Sequence, residues 1–495
     1  MERICTAEIR SRKDDCGDEK NPTWIHFGAG NIFRAFQAIL AQELLEKNLT
    51  DTGIIVAEGF DLDIIDKAYR PYDNLSLLVT LKSDGSITKT VAASVAESYK
   101  CDPSFPDDWN ALAEIFRSKS LALVTFTITE KGYAVKNSDG NFLPAYCADF
   151  EAGPDKAKMF LSRLCALLYG RYLHADKHPV ALVSTDNCSH NGEKLQAAIR
   201  AIAGEWQKRS FVDEGFIDYI SSPESVSFPW SMIDKITPRP DAGVQAQLKA
   251  DGFEDAEIIV TDKHTYTASF VNAESPQYLV IEDAFPNGRP PLEKAGVYFT
   301  TRDTVNKVER MKVCTCLNPL HTALAIYGCL LGYTLIADEM KDAELNTLVH
   351  RIGYDEGLPV VTDPKIIDPK KFIDEVVTVR IPNPFMPDTP QRIACDTSQK
   401  LSIRFGETIK AYAADPALGT QKLKYIPLVL AGWCRYLMAL DDEGKKFELS
   451  PDPLLGRVCP FVEKIELGRT YTAEALDGFL HGLLSDASLF GVDLY

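Results

Sequence analysis

The stretch Met311-Lys-Val-Cys-Thr-Cys-Leu-Asn-Pro-Leu-His321 brings an amine, a carboxamide and an imidazole close together along the chain. A lysine among apolar neighbours loses solvation, so its pKa falls and it becomes a usable base near neutral pH. A carboxamide can donate hydrogen bonds to a carbonyl that is turning into an alkoxide. An imidazole can orient a substrate hydroxyl or relay a proton. Lys312, Asn318 and His321 are therefore candidates for proton transfer at a carbinol or carbonyl carbon. The same residues also suit an ordinary helix start, with a capping Asn and a core His. On one unbroken helix, the steps from Lys312 to His321 at about 100° each put the two on opposite faces. Pro319 disfavours the α region at Asn318, which predicts Asn318 as N-cap and Pro319 as the first helical residue. Lys312 then lies on a preceding segment, free to converge on His321.

A second chemical signal is Thr23-Trp-Ile-His-Phe-Gly-Ala-Gly30, an apolar run stopped by glycines and followed by helical periodicity over Asn31 to Lys47. Gly28 and Gly30 would let backbone N–H groups approach a pyrophosphate at a helix start. The third position of the dinucleotide fingerprint is Phe33, so a tight structural turn fits as well. Beyond the next apolar run, Gly53–Ala57, stand Glu58, Asp61 and Asp63, with Lys67 the first basic residue. Carboxylates there accept from ribose hydroxyls and repel a 2′-phosphate, favouring NAD over NADP. A solvated acidic turn is the other reading.

These residues need a frame. Strand, glycine turn, helix and strand open a doubly wound sheet. Further strands are expected at Leu75–Leu81, Leu121–Thr127 and Val180–Ser184, with a helix at Asp155–Leu168. The alternation predicts an α/β fold: a Rossmann-like domain over 1–293 with a mainly parallel, doubly wound sheet. From 294 to 495, helical stretches at Leu320–Ala337, Gln421–Ala439 and Thr472–Leu484 predict a mainly helical second domain. The boundary is placed near Lys294, and residues 1–20 read as a polar arm.

Composition narrows the class. The 495 residues carry a net charge of -18, which argues against nucleic acid as a partner. The twelve cysteines show no zinc-type spacing beyond one C-x-C at Cys314 and Cys316, so no metal is expected. The charged start lacks a signal-peptide core, and no stretch reads as a membrane span. A cytoplasmic location follows as an expectation, with a monomer or small homo-oligomer as the assembly.

Six ordered motifs then point to a known family. They are His26-Phe-Gly-Ala-Gly-Asn-Ile32 with Arg34; Phe126-Thr-Ile-Thr-Glu-Lys-Gly-Tyr133; Ser184-Thr-Asp-Asn-Cys-Ser-His-Asn-Gly192; Phe228-Pro-Trp-Ser-Met-Ile-Asp-Lys-Ile-Thr-Pro238; Glu282-Asp-Ala-Phe-Pro-Asn-Gly-Arg-Pro290; and the Lys312–His321 segment. Together they resemble the mannitol dehydrogenase family of polyol-specific long-chain dehydrogenases. The resemblance implies an NAD-dependent, zinc-independent oxidoreductase with Lys312 as general acid/base. Asn187 and Asn318 would form the oxyanion hole, with His321 assisting. Asp234, Arg392 and Lys400 would surround the substrate's far hydroxyls. Gly28, Gly30, Asn31, Arg34, Asp61 and Glu130 would contact the cofactor. Here the family's K-x4-N-x-x-H is one residue longer between Lys312 and Asn318, which a local bulge would absorb.

Arg392 and Lys400, with Arg404 and Lys235 nearby in sequence, give a cationic neighbourhood suited to a carboxylate. That favours a keto-sugar acid, fructuronate, with mannonate as its polyol acid. Fructose with mannitol, or tagaturonate, are the alternatives within the family. A non-catalytic nucleotide-binding regulatory protein is the alternative of another class.

Overall fold

A computed structural model describes residues 21–495; the polar arm expected over 1–20 lies outside the described residues. The described residues divide into two compact units, one of 21–81 and 87–306, the other of 82–86 and 307–495.

The first unit is built on six parallel strands in the order β5-β2-β1-β6-β7-β8. These are β1 (Trp24–Phe27), β2 (Ile54–Glu58), β5 (Val95–Lys100), β6 (Leu123–Phe126), β7 (Val180–Ser184) and β8 (Val226–Ser227). Both faces are covered, so the strands read as continuous apolar runs. In β2, Ile55 and Ala57 enter one core layer and Ile54 and Val56 the other. Leu112, Leu161, Ile199 and Trp206 from three helices fill the first layer, and Leu40 and Leu44 help fill the second. The strand order reverses between β1 and β6, the topological switch point at which ligands bind in such sheets. Gly28 and Thr127 stand at the carboxyl ends of those two strands.

Several expectations change in detail. The strand at Leu75–Leu81 forms as β3 (Ser76–Leu81), but in a separate sheet between β4 (Ile87–Ala92) and β12 (Phe270–Glu274). The helical run from Asn31 breaks at Phe36 into α1 (Asn31–Ala35) and α2 (Gln37–Glu46). The helix expected from Asp155 starts only at Phe160 and runs to His174, because Gly153 and Pro154 open a short 3₁₀ turn first. The first compact unit takes in residues up to Asn306, where β14 (Tyr298–Thr300) pairs with β13 (Tyr278–Glu282).

The helix Arg302–Met311 crosses that division in the chain and leads into the second unit, which is helical. The pattern seen over Leu320–Ala337 is cut at Gly332, whose φ of 76° ends the helix Asn318–Leu331. Helices also form at Tyr425–Tyr436 and Ala473–Leu484, the latter capped by Thr472, whose side chain accepts from the Ala475 N–H. The continuous helical stretch Arg302–Leu331 is long and apolar enough to pass a membrane-span test, but most of its apolar window is buried in the protein.

Candidate active site

In the first unit, the turn after β1 is shaped by two glycines with different tasks. Gly28 has φ of 111°, and a Cβ there would meet the Thr127 carbonyl oxygen at 2.2 Å. Only glycine fits that backbone against β6. Gly30 has ordinary φ, and a Cβ there would meet nothing within 4 Å, so this point of the turn is open to a ligand. The Glu58 carboxylate holds the turn from the side: it accepts from the Ala29 N–H at 2.7 Å and from the N–H groups of Phe60 (2.7 Å) and Asp61 (3.1 Å). Sequence reasoning took Glu58 only as one acid of a cluster. Asp61 is also buried and accepts from the Thr261 hydroxyl at 2.6 Å, while Asp63 pairs with Lys67 at 2.9 Å.

Arg34 does not face the turn. Its guanidinium is fully buried and donates to the Ala268 carbonyl at 2.5 Å, the Thr267 hydroxyl at 2.8 Å and Asn31 Oδ1 at 2.8 Å. These bonds tie Asn31 to β11 (Tyr266–Thr267) and to Ala268 after it, so the Arg34 guanidinium is engaged within the protein. His26, at 0% exposure, bonds the hydroxyls of Thr125 and Thr127, and burial lowers its pKa to about 3. It is a neutral core group.

The Ser184–Gly192 motif acts as a clasp with Asn187 left outside. Asp186 accepts from the N–H groups of Ile128 (2.9 Å) and Thr129 (2.8 Å) and from the Tyr133 hydroxyl (2.5 Å), pinning the Thr-Ile-Thr-Glu loop. Thr129 is held at φ of 66°, a costly conformation for a β-branched residue. Asn191 bonds both the backbone and the hydroxyl of Ser231 on β9 (Ser231–Asp234), and Gly192 lies so close to Phe228 that a Cβ would meet its carbonyl at 2.5 Å. Between these anchors, Asn187 is exposed just past the end of β7. Asp234 is buried at the end of β9. Glu130 is exposed and ion-paired with Lys194 at 2.5 Å. Lys235 is taken up by Gln277 and the Glu274 carbonyl.

In the second unit, Lys312 opens a π turn, Lys312–Cys316, between the helix that ends at Met311 and the helix that starts at Asn318. A turn of that width is the kind of local bulge the longer Lys312-to-Asn318 spacing calls for. Leu317 closes the turn onto the Lys312 carbonyl at 3.1 Å and stands at the N-cap position. Asn318 is thus the first helical residue and not the cap expected from sequence, and the apolar Leu317 at the cap position makes no side-chain capping bond. Lys312 itself is 3% exposed.

His321 lies one turn into the helix, with Nε2 3.5 Å from Asp388 Oδ2. Its pKa is lowered to about 4 by burial, opposed by Asp388 and reinforced by the positive charges of Arg404, Arg392 and Arg380. Asp388 also pairs with the exposed Arg392, and Lys400 donates to the Cys395 carbonyl at 2.5 Å. Asp388 was missed in the sequence because its loop, Pro382–Pro390, reads as a surface excursion. The second unit therefore joins Lys312, Asn318 and His321 on one helical stretch and sets His321 beside Arg392, while Asn187, Asp234 and Glu130 belong to the first unit.

Such a pairing of a dinucleotide-type sheet with a lysine-bearing helical unit has counterparts. Residues 22–294 match the mannitol dehydrogenase Rossmann domain and residues 304–480 the mannitol dehydrogenase C-terminal domain. The chain belongs to the mannitol dehydrogenase family and is an oxidoreductase. It is 54% identical over 479 residues to D-mannonate oxidoreductase of Thermotoga maritima, covering 96% of this chain and 87% of that protein. Among solved structures, D-sorbitol dehydrogenase in its substrate-free form superposes with a TM-score of 0.78 at 26% identity, covering 96% of this chain and 92% of that one. Pseudomonas fluorescens mannitol 2-dehydrogenase, a ternary complex with NAD and D-mannitol, gives 0.66 at 26% identity, covering 96% and 89%.

Proposed function

We propose that the protein interconverts D-fructuronate and D-mannonate with NAD, using Lys312 as the general acid/base. The observation that carries this reading is the 54% identity, over nearly the whole chain, to a D-mannonate oxidoreductase. The first unit holds the dinucleotide and the second supplies the chemistry. The open backbone at Gly30, where the helix Asn31–Ala35 begins, suits a pyrophosphate. Asp61 and Glu130 are the acidic side chains assigned to the cofactor's ribose and nicotinamide ends. The carboxylates past β2 disfavour a 2′-phosphate, which supports NAD.

Bound NADH supplies the hydride to the ketone carbon. As charge builds on the ketone oxygen, the Asn318 carboxamide donates a hydrogen bond to it. Lys312 delivers the proton, and His321 orients the substrate as a neutral imidazole held by Asp388. Asp234, Arg392 and Lys400 bind the remaining polar groups. The acidic net charge disfavours nucleic acid as a partner, and we assign the protein to the cytoplasm, away from membranes, as a monomer or small homo-oligomer acting on small molecules.

The test follows NADH absorbance with fructuronate, tagaturonate and fructose. Fructuronate is expected to give the highest kcat/KM, and a preference for fructose overturns the substrate assignment. In Lys312→Ala, kcat should fall by ~10²–10⁴, the usual contribution of a general acid/base. Turnover within a few-fold of wild type removes Lys312 from the role.

A further inference from the structure

Four cationic side chains gather around the start of the Asn318–Leu331 helix, and they are not equivalent. Arg392 is neutralised by Asp388. Lys400 spends its ammonium on the Cys395 carbonyl at 2.5 Å, and its basicity is lowered by burial and by Arg404. Arg380 is buried, with its charge felt at His321. Arg404 differs: its Nη1 donates to the Thr322 hydroxyl at 2.5 Å, and no ion pair joins it to a carboxylate among the described residues. Thr322 in turn donates to the Asn318 carbonyl at 2.8 Å, which seats Arg404 against the helical turn that carries Asn318 and His321.

Burial pulls the Arg404 guanidinium down to about 10, with no acidic neighbour restoring it. Asp388 is the sole carboxylate acting on His321, against three arginines. A partly buried guanidinium whose protein partner is a neutral hydroxyl is costly to keep unless a ligand brings the balancing charge. Its planar fork matches a carboxylate bidentately, which an ammonium cannot do.

We infer that Arg404 receives the substrate's carboxylate and so decides between sugar acids and neutral polyols. This rests on the proposed reaction. The carboxylate anchor is thereby assigned to Arg404 and not to Arg392, which is already paired.

The experiment compares wild type, Arg404→Gln and Arg404→Lys with D-fructuronate, D-fructose and D-fructose 6-phosphate, reading kcat and KM separately. NADH affinity and melting temperature report on folding. Arg404→Gln should raise KM for fructuronate about 10²-fold and cut the fructuronate-to-fructose selectivity by a similar factor, the size expected when one partner of a desolvated charge pair is removed. Arg404→Lys, the gentler change, should recover part of this because it keeps the charge and loses the fork. A selectivity ratio that stays within about threefold in both variants overturns the inference, as does an equal loss of kcat on acid and neutral substrates. A wild-type preference for fructose 6-phosphate assigns the site to phosphate and overturns it too. Wild type that reduces no keto-sugar acid overturns the proposed reaction itself, an outcome separate from a working enzyme indifferent to Arg404→Gln.

Discussion

Replacing Asp186 by alanine should damage the enzyme more than any change to the exposed Glu130 in the loop it holds. The buried carboxylate takes two backbone N–H groups and the Tyr133 hydroxyl, at 2.5 to 2.9 Å. Alanine leaves the two backbone N–H groups without an acceptor, while the Tyr133 hydroxyl keeps Ser184 Oγ at 2.7 Å, and each buried unsatisfied group costs ~1–3 kcal/mol. A loss of about 2 kcal/mol is expected, less whatever a water entering the gap restores. For a unit of this size that lowers the melting temperature by roughly 4–8 °C. The strained Thr129, at φ of 66°, then has nothing to hold it and should relax. With its anchor gone, the loop should also lose kcat/KM by ~10-fold or more, because small displacements of positioning groups are costly. Asp186→Asn should fall between the two, since one oxygen remains while the new amide faces an N–H group. Scanning calorimetry with NADH titration and steady-state kinetics on the same samples reads all three quantities. If Asp186→Ala melts within about 2 °C of wild type and keeps its kcat/KM, the clasp carries neither stability nor position.

The two glycines of the first turn should separate folding from ligand binding. Gly28→Ala, which drives a Cβ onto the Thr127 carbonyl, should lower the melting temperature, whereas Gly30→Ala should leave it near wild type and weaken NADH binding. Equal melting temperatures for the two would contradict this. His321, lowered from 6.5 to about 4 by burial, is neutral in the folded state while the unfolded chain binds a proton as pH falls below 6.5. Its contribution, ~3 kcal/mol, should be lost between about pH 6.5 and 4, so His321→Gln should flatten the decline of stability over that window in urea titrations. Glu339 is fully buried, its carboxyl oxygens have no hydrogen-bond partner among the described residues, and burial raises it to about 9. A raised acid favours folding only where it stays protonated, so that stability drains away as pH climbs from 4.5 towards 9. Glu339→Gln should therefore melt higher than wild type at pH 8 and match it at pH 5; a lower value at pH 8 would refute the neutral-acid assignment.

What was legible in the sequence followed from local rules. Gly28 before a helix and after an apolar run, β7 at Val180–Ser184 and the helix expected over Thr472–Leu484 were readable because each depends on neighbours along the chain. The doubly wound sheet followed from strands too apolar to have a wet face. Other features depended on partners far away in sequence. Arg34 reads as a cofactor contact in its motif, yet besides Asn31 its bonds go to residues more than two hundred positions later. Asp388 hides in a proline-rich loop, and only folding sets it beside His321. β3 pairs with β4 and with β12, the latter far along the chain, so its sheet could not be read from its own residues. The Asn318 cap failed by one position, since the π turn carries helical bonding through Leu317 where proline was expected to break it.

That π turn has a further consequence. A helix that gains a residue in the ordinary way rotates everything beyond the insertion by about 100°, so side chains on its far half would aim elsewhere. A wide loop of the coil swallows the added link instead and leaves the downstream phase alone. The stretch from Lys312 to Cys316 is thus a slack point, where polypeptide length can drift while the bearings of the carboxamide and imidazole beyond it stay put.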